Sequence, residues 1–96
     1  MDIAAIMKTL GEPTRLEIFM HLLERKHCTR SMSKKLDISE PAVSQHLKIM
    51  REAGLIYAQK YGRHVHYLPS QEAIDFLAGT FAEMSRKSAA LDRDTL

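Results

Sequence analysis

The hydrophobic rhythm of this chain changes near Gly54, and that change limits the folds open to it. Up to Ala53 apolar residues recur at helical spacing. From Leu55 to Leu68 the period shortens to about two, the spacing of a pleated strand, and after Pro69 the helical spacing returns. The chain must therefore run helices, one β-hairpin, then a further helix. Its 96 residues leave room for one small domain, spanning 1–96.

Ile3, Ile6, Met7 and Leu10 make one short apolar stripe, and Gly11 ends the first helix. Pro13 suits the first turn of a second helix, where its missing N–H costs nothing. Leu16, Phe19, Leu22 and Leu23 carry its stripe to about Arg25. Thr29 is expected to cap a third helix ending at Leu36, with Met32 and Leu36 inward. Asp37-Ile38-Ser39 interrupts the pattern. Ser39 can cap a fourth helix from Glu40 to about Ala53, and Gly54 stops it. Leu55–Lys60 and His64–Leu68 read as strands around the tip Tyr61-Gly62-Arg63. Ser70 can cap a last helix with Ile74, Leu77, Ala78, Phe81, Met84 and Ser88 on its inner face, and the tail 91–96 should fray. The expected fold is mainly α with a small β-hairpin, in the order helix-helix-helix-helix-hairpin-helix. Two helices joined by a three-residue turn and followed by a hairpin describe a winged helix-turn-helix.

A chain this short buries only about 60–65% of its unfolded surface when it folds alone. A second copy could cover more. The apolar stripes of the first and last helices nominate Ile3, Ile6, Met7, Ile74, Leu77 and Phe81 for a dimer interface. No apolar run approaches the ~18–20 residues of a membrane span. Met1-Asp2-Ile3-Ala4 does not open like a secretory signal. The one cysteine, Cys28, excludes an intrachain disulfide, so a cytoplasmic location without a membrane partner is expected.

Net charge is +2, unevenly spread. Arg25–Arg63 holds nine Lys/Arg and three acids, or +6, whereas the flanks hold five basic and nine acidic residues, or −4. A basic middle between acidic ends suits a polyanionic partner, although a merely solvated face could look the same. On a helical wheel of 40–53, Val43, Leu47 and Met50 fall on one side. Pro41, Gln45, Lys48 and Glu52 fall opposite, with Ser44 on the flank. Gln45 can bond an adenine edge, and Ser44 either bases or phosphate. Lys48 and Arg51 suit phosphates, as do Ser39 and the first-turn amides. Glu40 can accept from a cytosine amine or simply favour the helix start. His46 lies at the edge of the inward face, where buttressing is favoured over base contact. Lys60 and Arg63 flank the hairpin tip, where they can reach phosphates or the minor groove. The expected partner is double-stranded DNA, with helix 40–53 in the major groove and the tip, about 61–64, on the backbone or minor groove.

Three segments resemble one known family. Leu10-Gly11-Glu12-Pro13-Thr14-Arg15-Leu16-Glu17-Ile18 resembles the opening motif of the ArsR/SmtB repressors. The segment from Ile38 to Ile56, with Val43-Ser44-Gln45-His46-Leu47 and Ala53-Gly54-Leu55, resembles their recognition helix. Gly62-Arg63-His64-Val65-His66-Tyr67 resembles their wing. The match covers about residues 5–80, and the three motifs together are specific. The resemblance implies a homodimer paired through first and last helices. It also implies binding to an imperfect inverted repeat over the promoter of the chain's own operon, repression there, and release by an inducer.

The inducer is not legible. Metal-sensing members often carry Cys-x-Cys at the start of the third helix. Here Cys28 fills the first position and Arg30 the second. Others place Asp and His ligands on the last helix, but residues 70–96 contain neither His nor Cys, leaving Asp75 and Glu83 without soft partners. No metal or other cofactor is expected. Were a metal bound, Cys28, His64 and His66 would be its candidate ligands, with His21 and His27 the remaining histidines. The bland readings are His27 as a surface turn residue and Cys28 as a small buried one. Cys28 could instead be a thiol sensor, its pKa lowered by Arg25, Lys26 and Arg30 if these lie close. A regulator without any small-molecule inducer fits equally. A winged-helix protein–protein module is the alternative outside this class, and it predicts a neutral or acidic face where this chain has Lys48, Arg51, Lys60 and Arg63. An enzyme is not expected: the chain has no Gly-rich phosphate loop, nucleophile elbow or His-Glu-x-x-His motif.

Overall fold

The computed structural model describes residues 1–94. It contains α1 (Ile3–Leu10), α2 (Pro13–Glu24), α3 (Thr29–Leu36), α4 (Glu40–Glu52), β1 (Ile56–Tyr61), β2 (His64–Pro69) and α5 (Gln71–Ala90). The expected order holds, with small shifts at boundaries. Of the tail expected to fray, Thr95 and Leu96 lie outside the described residues.

The helix starts follow local chemistry. Asp2, Ser39 and Ser70 each accept backbone N–H bonds as N-caps of α1, α4 and α5. Pro13 opens α2 behind a Glu12 cap. One cap differs from expectation: Cys28, not Thr29, caps α3. Its Sγ accepts from the Ser31 amide at 3.4 Å while Ser31 Oγ accepts from the Cys28 amide at 3.1 Å, a reciprocal capping box. Thr29 is the first helical residue.

The α3–α4 turn is tight. Asp37 takes the left-handed conformation (φ 56°) that a short polar side chain tolerates. Ser33 Oγ donates to the Ile38 carbonyl at 2.5 Å, clamping the turn from inside. At the far end of α4, Gly54 adopts φ 78°, and the Gly54 and Leu55 amides bond back to Arg51 and Met50 at 3.0 Å each. This left-handed helix stop favours glycine.

β1 and β2 pair antiparallel from Ile56↔Pro69 to Tyr61↔His64, so the loop is only Gly62-Arg63. Gly62 has φ 60°, the positive value a two-residue hairpin demands. His27 extends this sheet: its amide and carbonyl pair with those of Tyr67 at 3.4 and 2.8 Å. His27 is therefore 6% exposed rather than a surface turn residue.

The core gathers Ile6, Ile18, Phe19, Leu22, Met32, Val43, Leu47, Met50, Leu55, Ile56 and Ala73. Two expectations need correction. Ile6, nominated for a dimer face, is fully buried within its own chain. Helix α1 turns Ile6 inward and leaves Met7 outward, and periodicity cannot say which side of a short stripe meets the chain's own core. In α2 the inward stripe is Ile18, Phe19 and Leu22, while Leu16 and Leu23 are 45% and 47% exposed. That helix is apolar on most sides, so its pattern carries little direction. Along α5 only Ala73 is buried. Ile74, Phe76 and Leu77 pack partly on the core, and every residue from Phe81 to Ala90 is exposed. The molecule is accordingly long, 60 × 24 × 21 Å. Among the described residues no helix is long and apolar enough to cross a membrane.

Candidate nucleic-acid interface

Helix α4 is fixed from behind by Val43, Leu47 and Met50, all at most 2% exposed. That anchoring determines what it presents. Glu40, Pro41, Ser44, Gln45, Lys48, Arg51 and Glu52 are exposed, as is the cap Ser39. The side chains of Ser44, Gln45, Lys48 and Arg51 make no hydrogen bond or ion pair among the described residues. The ridge is thus free to bond to something else, and its two cations are not neutralised by any described residue.

His46 sits at the edge of this ridge with 23% of its side chain exposed. Its Nδ1 lies 3.8 Å from Glu12 Oε2 and has no hydrogen-bond partner among the described residues. Glu12 caps α2 by accepting from the Arg15 amide at 2.8 Å. That backbone bond holds its carboxyl below the ordinary carboxylate range, with a smaller contribution from His46. One carboxylate thus serves the start of α2 and faces α4. Arg15 adds a bond to the Thr9 carbonyl at 2.7 Å, which ties the α1–α2 turn.

The hairpin tip supplies the second cationic element. Lys60, Gly62 and Arg63 are exposed, and neither cation is paired among the described residues. Lys60 faces Val65 across the hairpin, on the opposite side from Tyr61 and His64. Tyr61 and His66 meet at 5.2 Å between ring centroids, and His64 stacks on His66 at 6.4 Å. His64 and His66 do share a side, as their i, i+2 spacing requires. No cluster of three or more His, Cys, Asp or Glu side chains suited to a metal occurs among the described residues.

Cys28 is half-buried. The amide of Ser31 bonds to its sulfur and holds the thiol below its ordinary range, against the opposing effect of burial. The cause is the helix start, not the neighbouring cations that sequence suggested. His27 is lowered too, first by burial and then by the positive charges of Arg25, His21 and Lys35.

Sequence reasoning missed three residues that shape this region. His27 joins the sheet, Glu12 faces His46, and Lys26 sits over the Tyr61 ring with Nζ 3.9 Å from the centroid. None left a periodic signal, because each acts across elements distant in sequence.

A helix-turn-helix with a basic ridge on its second helix, followed by a cationic hairpin tip, defines a winged helix-turn-helix protein. Residues 12–58 match the family described as bacterial regulatory protein, arsR family. The chain is 36% identical over 62 residues to the HTH-type transcriptional repressor SmtB of Mycobacterium tuberculosis (strain ATCC 25618 / H37Rv), covering 65% of this chain and 46% of that one. It is 38% identical over 60 residues to an uncharacterized HTH-type transcriptional regulator of Methanocaldococcus jannaschii, covering 62% and 67%. Its fold is similar to an ArsR-like transcriptional regulator from Rhodococcus sp. RHA1, with a TM-score of 0.78, 28% identity, and 91% and 86% of the two chains covered. The chain belongs to the ArsR family of bacterial regulatory proteins. It spans about half the length of the first curated relatives it matches.

Proposed function

We propose that this protein is a sequence-specific DNA-binding transcriptional regulator, a homodimeric repressor of its own operon. One observation carries the reading: the exposed face of α4 puts Ser44, Gln45, Lys48 and Arg51 forward without partners among the described residues, beside a hairpin tip carrying Lys60 and Arg63. Helix α4 enters the major groove. Gln45 reads a base edge, Ser44 reads a base or a phosphate, and Lys48 and Arg51 neutralise phosphates. Glu40 and Pro41 border the groove, and Ser39 offers the helix N-terminus to a phosphate. His46 buttresses α4 against Glu12. The tip follows the backbone or enters the minor groove.

The dimer pairs through α1 and α5. Ile3, Met7, Ile74, Leu77 and Phe81 form its contacts. Ile6 supports them from the core. Phe81 and Met84, 48% and 50% exposed on the distal half of α5, are large apolar side chains the single chain leaves uncovered. A two-fold dimer presents two α4 helices to half-sites about one DNA turn, roughly 34–36 Å, apart, hence to an imperfect inverted repeat. The location that goes with this function is the cytoplasm. A protein-interaction module is disfavoured by the unneutralised cations of the ridge and tip, and an enzymatic role has no support in a family of transcriptional regulators.

A thiol-responsive form of the same regulator has one observation behind it, the lowered pKa of the half-buried Cys28 at the start of α3. Fluorescence anisotropy on a labelled duplex from upstream of the gene tests both readings. Tight, salt-dependent binding under reductant and chelator is expected. Release by mild oxidant, absent in Cys28→Ser, would establish the thiol response; indifference to oxidant would discard it. Equal, weak binding to this duplex and to unrelated DNA would contradict the sequence-specific reading.

A further inference from the structure

The outer half of the hairpin is poorly supported by the rest of the fold. Gln59, Lys60, Tyr61, Gly62, Arg63, His64 and Val65 are all exposed. The main-chain pairing of His27 with Tyr67 secures only the base. A two-stranded hairpin is marginally stable by itself in water, so the tip needs another tether to hold one geometry. Lys26, the residue before His27, provides it. Its ammonium lies 3.9 Å from the centre of the Tyr61 ring, and Tyr61 is the last residue of β1, next to Lys60 and the Gly62-Arg63 loop.

The ring is itself fixed. The Tyr61 hydroxyl donates to Gln59 Oε1 at 2.6 Å, and the ring lies 5.2 Å from that of His66. Lys26 has no ion-pair partner among the described residues, and its neighbour Arg25 bonds to the Lys26 carbonyl. The cation therefore rests on the negative face of an aromatic ring rather than on a carboxylate. Consecutive residues of the α2–α3 connection thus grip the hairpin at two heights, His27 by backbone at the base and Lys26 by side chain near the tip.

We propose that Lys26 is a positioning residue for the wing, holding Tyr61 so that Lys60 and Arg63 meet DNA already ordered. The tether stands on the free protein's geometry; its effect on DNA rests on the function proposed above. The rival is that Lys26 contacts a phosphate directly, and the two differ in what they do to salt dependence. A positioning residue leaves the slope of log K against log salt unchanged, whereas loss of a phosphate contact lowers it by about one.

The test uses the full chain with Lys26→Gln, Lys26→Arg, Tyr61→Leu and the Gln/Leu double variant. In the free protein, the Lys26 ε-methylene protons should show an upfield ring-current shift that Tyr61→Leu abolishes. Amide exchange at residues 60–65 should accelerate in Lys26→Gln and return to the parent rate in Lys26→Arg. On a labelled duplex from upstream of the gene, Lys26→Gln and Tyr61→Leu should each weaken binding about two- to fivefold at constant salt slope. The double variant should be no weaker than either single one. Additive losses, a slope lowered by Lys26→Gln alone, or an unshifted methylene signal would each overturn the proposal. If the parent protein binds no duplex, the function proposed above fails. Ring current and exchange then still decide the tether: their loss overturns it and their presence upholds it.

Discussion

Gln45 and Arg63 are both exposed and unpaired among the described residues, yet their expected effects on DNA differ in kind. Gln45→Ala should weaken sequence-specific binding by about 1–3 kcal/mol and relax preference at one base position, read by comparing point-substituted duplexes. Unchanged discrimination would remove Gln45 from base recognition. Arg63→Ala should weaken binding to every duplex and lower the salt slope by about one; an unaltered slope would place the tip off the phosphates. His27 carries a pH prediction. Its folded pKa is lowered, so the unfolded chain takes up a proton first as pH falls below the ordinary histidine value. The stability this group contributes is present above that value and is lost toward acid. Urea midpoints across that range should fall with pH, and less steeply in His27→Gln. Equal slopes would contradict this account. The outward faces of Gln45, Lys48 and Arg63 were legible because side-chain type and wheel position sufficed. The burial of His27 was not, since it depends on pairing with Tyr67, forty residues away.

Helices α3 and α4 were legible almost to the residue because polar punctuation marks their ends: Ser39 at one start and Gly54 at one stop. The start of α3 was displaced by one residue because a sulfur cap is unusual, and Thr29 beside it is the stronger capping type. This suggests a direct test. Cys28→Ala should lower stability by about 0.5–1 kcal/mol, while Cys28→Ser, which restores a better acceptor, should be at least as stable as the parent. Thermal melts decide it; equal losses in both variants would mean the thiol stabilises by packing rather than by capping. Helix α2 was legible in extent but not in orientation. With Leu16, Ile18, Phe19, Met20, Leu22 and Leu23 around its circumference, local pattern cannot choose the buried side. Contact with α4 and the sheet chooses it.

The whole molecule is asymmetric in support: a compact core around α2, α3 and α4, and a distal α5 whose Phe81 and Met84 lack a covering partner among the described residues. The homodimer proposed above would supply one. Phe81→Asp should raise the dimer dissociation constant by at least about thirtyfold, corresponding to about 2 kcal/mol, the threshold for an interface hot spot. Sedimentation equilibrium reads this directly, and an unchanged mass would move the interface elsewhere. The order of elements was legible from the change of hydrophobic period. Which stripe residues serve the core was not, as Ile6 demonstrates. The central claim is recognition of a specific inverted repeat by two α4 helices. Unbiased selection from a random duplex pool by the full-length protein tests it most directly. The account predicts enrichment of an inverted repeat with half-sites about one helical turn apart, lost in Gln45→Ala. Failure to enrich any sequence, with binding that depends on salt alone, would contradict it.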